Sequence, residues 1–430
     1  MHASSAVQEP VKNTQNTPHS RVQHMITPKG IEAWLVEDYT VPLLAMEICF
    51  KSGSTLDPME KAGTVSLLSQ LLDEGAGDYD ANAFQEALED DAIELSFSTG
   101  HHWFQASLRT LIEAKDKAFH LLHLALTKPR LDDEPIQRMK DQVIASIKQD
   151  LTDPDSVARQ TFMKNAFANH AYGQKSTIES VTRITRDDLK TVKNHIITQD
   201  QMIITVVGAI DAKTLAQALD DMLGELPAST QAEKVAPTLM QKRGEIIISD
   251  LDVPNSTFLF GMPAFSHTDP DYHAAMIVNH IFGEGSFTSR LWHEVREKRG
   301  LSYSVRTSLS KIQGCPIVMG YLSTSNERAK EAYDVLIDEF RKMSETGPTQ
   351  QELDAAKAYL IGSYGLRFDS SSKIANELSG IIYDGRPIDY LQQREAFLQE
   401  VTLEQAQRVA KRLYGDGTFL LSVAGRPSNL

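Results

Sequence analysis

Cysteine is almost absent from this chain: Cys49 and Cys315 are the only two among 430 residues. They lie far apart, each inside a strand-like apolar stretch, and read as buried free thiols rather than a bridge. Long hydrophobic runs are also missing. No stretch approaches the roughly 18 apolar residues that cross a bilayer, and Leu43–Phe50 has the length of a buried strand. Positive charge is in deficit, with 43 Lys and Arg against 58 Asp and Glu for a formal net charge of −15. Phosphate binding needs a basic face, so a nucleic-acid partner is not expected. The sequence as written shows no basic segment followed by an apolar one, the mark of a signal peptide. Residues 1–24 are rich in Ser, Thr, Asn, Gln and Pro and read as a flexible tail.

What is present is an ordinary globular composition, 41% hydrophobic and 23% charged, in a chain long enough for two or more domains. An internal repeat supports two. Phe104–Ile147 lies on Ile317–Ile361, each copy a strand, a helix of 3.6 spacing, a Pro-containing turn and a second helix. Gln201–Gly208 resembles Gly417–Gly425, a terminal strand closing each half. Gly30–Val36 and Leu43–Phe50 predict an opening hairpin, with Glu245–Ser249 and Ser256–Met262 as its counterpart. Helices are expected near 59–74 and 270–283. Residues 227–243 are polar and without periodicity, and read as a linker between domains at 25–226 and 244–430. The expected fold class is α+β: two homologous sandwich domains, each a mostly antiparallel sheet packed with helices.

The segment Gly63-Thr64-Val65-Ser66-Leu67-Leu68-Ser69-Gln70 resembles the first helix of the pitrilysin and mitochondrial-processing-peptidase family. There Gly-Thr-Ala precedes an inverted zinc motif, His-x-x-Glu-His. The resemblance covers about residues 25–427. Asp153-Pro154-Asp155, His170-Ala171-Tyr172-Gly173, Gly283–Val305 and Gly385–Gly425 also carry it. On this pattern Ser66 and Gln70 stand at the ligand histidines and Ser69 at the glutamate base. Ala145 and Ser146 stand where the third-ligand helix carries paired glutamates. Hydroxyl and amide groups are poor zinc ligands, and neither serves as a general base near neutral pH. No metal is therefore expected on this chain. His120 and His123, three apart on one helix, and His101-His102 on the preceding strand lack a third ligand. They read as surface or core histidines.

The second half keeps more of the pattern. Gly283 and Gly285 mark a tight turn that shapes a substrate-contacting loop or merely turns the chain. Ser286 or Thr288 is expected to cap the next helix, which ends at Lys298-Arg299-Gly300. A strand is expected from Ser302, with Tyr303, Val305 and Thr307 on one face. Glu294 reads as a solvated helical charge. Arg296 and Tyr303 match, in type and spacing, the family's arginine–tyrosine pair. In the family this pair reaches the active site from the domain opposite the zinc. Taken alone, the two also suit a solvated cation and a half-buried aromatic.

The resemblance implies the half clam-shell architecture of the family. It further implies a non-zinc subunit of a heterodimeric metallopeptidase, with a homologous zinc-bearing chain as partner and peptides as substrate. Arg296 and Tyr303 would act in trans on the partner's site, and this chain alone would be inactive. The alternative is a catalytically inactive structural or peptide-binding homologue. Periplasmic residence with a signal removed is expected over a cytoplasmic location.

Overall fold

In a computed structural model, which describes residues 22–228, 238–310, 312–415 and 417–430, the apolar runs form two sheets of matching topology. The first holds β1 (Gln23–Ile26), β2 (Glu32–Glu37), β3 (Leu43–Phe50), β4 (Glu94–Thr99), β5 (Phe104–Leu111) and β6 (Met202–Gly208). Its spatial order is β1-β2-β6-β3-β5-β4. The second holds β7 (Ile246–Ser249), β8 (Asn255–Pro263), β9 (Val305–Ser310), β10 (Ile317–Ser325) and β11 (Leu420–Ala424). These run in the order β7-β11-β8-β10-β9. With β1 set aside, each strand of the first sheet has its counterpart in the second, so the repeat seen in sequence is a repeat of topology.

The opening hairpins do not form. β6 lies between β2 and β3, parallel to the first and antiparallel to the second. β11 divides β7 from β8 in the same way. The closing strands are continuous apolar runs, buried from Ile203 to Gly208 and from Leu420 to Ala424. Such strands need cover on both faces and both edges, which only a central position supplies. β1 begins at Gln23, inside the segment read as a tail. Residues 1–21 of that tail, and most of the linker, lie outside the described residues. Of the linker residues that are described, Met240 is buried.

After β5 come the helices Lys115–Thr127 and Asp133–Asp150; after β10 come Ala329–Thr346 and Gln350–Gly362. The helix Pro154–Ala166, started by Pro154 and capped by Asp153, leaves its own half. Its Ala158, Phe162 and Ala166 join Leu259, Ile317 and Leu420 of the second sheet in one cluster. Gly261 makes room: a Cβ there would lie 2.5 Å from the Phe162 ring. The helix Ser371–Tyr383 makes the reverse exchange, packing Ile374, Ala375 and Leu378 on Val36 and Val207 of the first sheet. The buried Thr205 hydroxyl donates to the Ala375 carbonyl at 2.8 Å. Each sheet thus carries its own core on one face and a helix from the other half on the opposite face.

Both cysteines are buried and unpaired, and burial pushes the Cys49 thiol up to about 12.

Candidate functional site

Gly63 opens the helix Thr64–Ser69 with φ +104°, a left-handed conformation that favours glycine. No side chain caps this helix at Gly63; instead the Asp57 carboxylate accepts from Gly63 N at 2.7 Å and Val65 N at 2.9 Å. Burial lifts the Asp57 carboxyl to about 6, against the lowering effect of those donors. The Ser69 hydroxyl is buried and donates to the Ser66 carbonyl at 2.8 Å. The Gln70 amide donates to the same carbonyl at 3.3 Å. Both polar groups are spent on the backbone of their own helix. Ser146 and Ala145 are exposed on the helix Asp133–Asp150. These residues do not fit a zinc ion, which needs imidazole, thiolate or carboxylate donors converging on one point. Among the described residues, no group of three or more His, Cys, Asp and Glu side chains could hold a metal.

The histidines serve other ends. His123 Nδ1 bonds the Met222 carbonyl at 2.6 Å, and His120 is exposed. His101 and His102 lie in the turn between β4 and β5, not on a strand. With His170 they surround Tyr172, with ring centroids 4.3 to 5.3 Å away. His102 Nε2 bonds the Tyr172 hydroxyl, which donates to the Gln313 carbonyl of the second half. Tyr383 donates to the His102 carbonyl at 3.3 Å. Burial lowers the pKa of both His101 and His102, the latter to about 4, with neighbouring histidines adding to the shift. This junction of the halves was not visible in the sequence beyond the His-Ala-Tyr-Gly run.

In the second half the segment after Asn279 is π-helical over His280–Glu284 and again over Trp292–Glu297, a wide turn often found at functional sites. The helix start differs from expectation. The buried Ser289, not Ser286 or Thr288, accepts from the Trp292 amide at 3.4 Å. Its end is as expected: Gly300 has φ +58°, and Gly300 N and Leu301 N bond the Arg296 and Val295 carbonyls, both at 2.9 Å. Gly283 is needed for close approach, since a Cβ there would meet Thr307 Oγ1 at 2.5 Å and Thr307 N at 3.0 Å. A Cβ on Gly285 would meet the His280 carbonyl at 2.7 Å. Both glycines therefore have a structural reason to be where they are.

Tyr303 precedes β9 rather than lying in it, because the strand's ladder to β10 begins at Val305. It is 83% exposed. The Arg296 guanidinium is clamped between two rings, its Cζ 4.0 Å from the Trp292 centroid and 4.2 Å from that of Tyr303. Phe287, 71% exposed, stands edge-on to Trp292 at 4.6 Å. The carboxylates nearby are engaged elsewhere. Glu294 pairs with Lys298 and Arg299, Glu297 with His293, and Glu352 with Arg290. Burial opposes ionisation of Glu294, but its two cations outweigh that and hold the carboxyl at about 2, so it is a paired charge rather than a solvated one. Among the described residues no carboxylate pairs with Arg296. Trp292 and Phe287 were missed in sequence, though Trp292 and Arg296 stand four apart on one helix face.

The pair and the altered motif lie on different halves. The helix Thr64–Ser69 packs against β4 and the helix Arg186–Ile196, whereas the Trp292–Glu297 segment packs against β9 and the helix Ala329–Thr346.

Comparison with known proteins places these features. Residues 35–178 match the family model described as insulinase (peptidase family M16), and residues 183–360 match that of the peptidase M16 inactive domain. The chain is 28% identical over 374 residues to a Helicobacter pylori protein named non-peptidase homolog YmxG, covering 86% of each chain. It is 23% identical over 397 residues to the probable mitochondrial-processing peptidase subunit beta of Schizosaccharomyces pombe, covering 87% of this chain and 84% of that one. A solved peptidase M16 inactive domain from Pseudomonas fluorescens superposes with a TM-score of 0.87 at 26% identity, covering 95% of this chain and 98% of that one. The matching topology, the two family domains in tandem and the altered Ser66–Gln70 segment identify the chain as a member of the M16 (insulinase/pitrilysin-like) peptidase family that lacks the His-x-x-Glu-His motif.

Proposed function

We propose that this chain is the non-zinc subunit of a heterodimeric M16 peptidase, with domains at 25–226 and 244–430. It would present Arg296 and Tyr303 to a peptide held against a homologous zinc-bearing partner. The observation that carries this reading is the Arg296 guanidinium, without a carboxylate partner among the described residues and held between Trp292 and Tyr303, while Arg290, Lys298 and Arg299 beside it are each matched with a carboxylate. A guanidinium fixed by ring faces keeps its donors directed outward, toward a carbonyl or carboxylate oxygen. The exposed Tyr303 phenol can donate to an oxyanion, where a fixed donor is worth most. The alternative is an inactive homologue that binds peptides or serves in assembly. It is favoured by the donors spent within the Thr64–Ser69 helix and by the non-peptidase name of the Helicobacter relative.

The purified chain should hold no stoichiometric zinc and cleave no peptide. Mixed with a zinc-bearing M16 subunit it should form a pair that cleaves. Arg296→Ala or Tyr303→Phe should then lower turnover by about 10²-fold, the scale of one lost oxyanion donor, without loss of assembly. A pair that forms but never cleaves supports the inactive reading. Turnover unchanged in both variants removes Arg296 and Tyr303 from the site.

A further inference from the structure

The two halves differ at one edge. In the first sheet β1 covers the outer edge of β2, antiparallel, with Gln23 opposite Leu35 and Ile26 opposite Glu32. The helix Ala212–Leu223, which follows β6, covers the adjoining face. Its Leu215, Leu219 and Met222 share a core with Met25 and Leu35. In the second sheet β7 stands where β2 stands in the first, yet among the described residues no strand pairs with its outer edge. The described residues after β11, Gly425–Leu430, form no helix. Ile246 and Ile248, on one face of β7, are left 39% and 45% exposed, while Ile247 turns inward to the cluster around Phe162.

An open apolar edge strand is a template for another strand, and the residues around this one indicate which. The segment reads Lys242-Arg243-Gly244-Glu245-Ile246-Ile247-Ile248-Ser249-Asp250-Leu251-Asp252. Two cations precede the strand and two acids follow it. The geometry points to a second copy of this chain, paired antiparallel through β7 about a twofold axis at Ile247. In that register Ile246 faces Ile248 of the second copy, and the four isoleucines bury one another. Lys242 meets Asp252 of the second copy, and Gly244 meets Asp250. A shift of the axis to Ile248 would set Ile246 against Asp250, which the charge disfavours. Within the chain Arg426 reaches Asp250 and Asp252, and Lys242 reaches Asn165. The charged groups among these are exposed, and exposed pairs hold charges weakly. Their part in the dimer is register more than affinity. The two five-stranded sheets become one sheet of twice the width, closed by symmetry.

A four-residue edge buries less than the roughly 1,200 Å² of a standard interface, so association is weak, with a dissociation constant of about 10 µM or higher. Sedimentation equilibrium of the full chain alone, over about 1–300 µM, should show a reversible monomer–dimer equilibrium. Ile248→Lys should weaken it more than about tenfold with the thermal transition retained. Lys242→Asp and Asp252→Lys should each weaken it, and the double exchange should restore it. A wild-type chain monomeric throughout overturns the proposal, as does a dimer indifferent to Ile248→Lys. Failure of the double exchange to restore association overturns the register.

Discussion

Among single residues, Arg296 and His102 show how neighbours decide what a side chain can do. Arg296 keeps its charge available because rings rather than carboxylates hold it, each contact worth about 0.5–1 kcal/mol at an exposed site. His102 is kept neutral: burial and the adjacent His101 and His170 lower its pKa from the ordinary 6.5 to about 4. The unfolded chain takes up this proton near 6.5 and the folded one only near 4. The stability contributed by neutral His102 is thus complete above pH 6.5 and lost as pH falls through that window to about 4. Thermal melts should show the transition falling between pH 7 and pH 4.5. His102→Gln, which keeps a donor for Tyr172 and removes the titration, should flatten part of that fall. Equal slopes for variant and wild type would locate the acid sensitivity in other groups.

At the scale of elements, the helix Pro154–Ala166 carries the argument. Phe162 is fully buried over Gly261, so Phe162→Ala should cost about 3–5 kcal/mol, read by denaturant unfolding. Because the ring lies on the other half's sheet, the loss should lower one shared transition rather than split it. A second transition, with only the second half destabilised, would show that the halves unfold independently. In the sequence Asp153-Pro154 carries only the family resemblance, and in the structure Asp153 caps this helix. The helix's destination was not legible, because the small and apolar face of Ala158, Phe162 and Ala166 states only that something covers it. The failed hairpins have the same cause. Gly30–Val36 and Leu43–Phe50 are strands, but local pattern cannot show that β6, far along the chain, takes the place between them. The repeat, by contrast, was legible because identical topology imposes similar burial on both copies. In the site, Arg296 and Tyr303 were found by spacing. Their clamp was not, since the widened turn over Trp292–Glu297 leaves no mark in apolar periodicity.

For the whole molecule, the helix exchange is expected to make the two halves a single folding unit despite their repeat. Removing the second half strips the helix Ser371–Tyr383 from Val36 and Val207. Removing the first strips Pro154–Ala166 from Leu259, Ile317 and Leu420. Either cut exposes an apolar sheet face and leaves an apolar helix without a surface, the condition under which isolated segments aggregate. The sequence repeat alone suggests two independent domains, each with its own core, and the two readings differ in outcome. Residues 22–226 and 238–430, produced separately, should be aggregated or lack a cooperative melt. Produced together, they should associate and unfold in one transition near that of the intact chain. A half that melts cooperatively by itself would mean that its own core suffices and that the exchanged helices only orient the halves. Joint folding would instead fix the His101–Tyr172–Gln313 junction as part of the shared core, and Arg296 would be held at a set position relative to the first half.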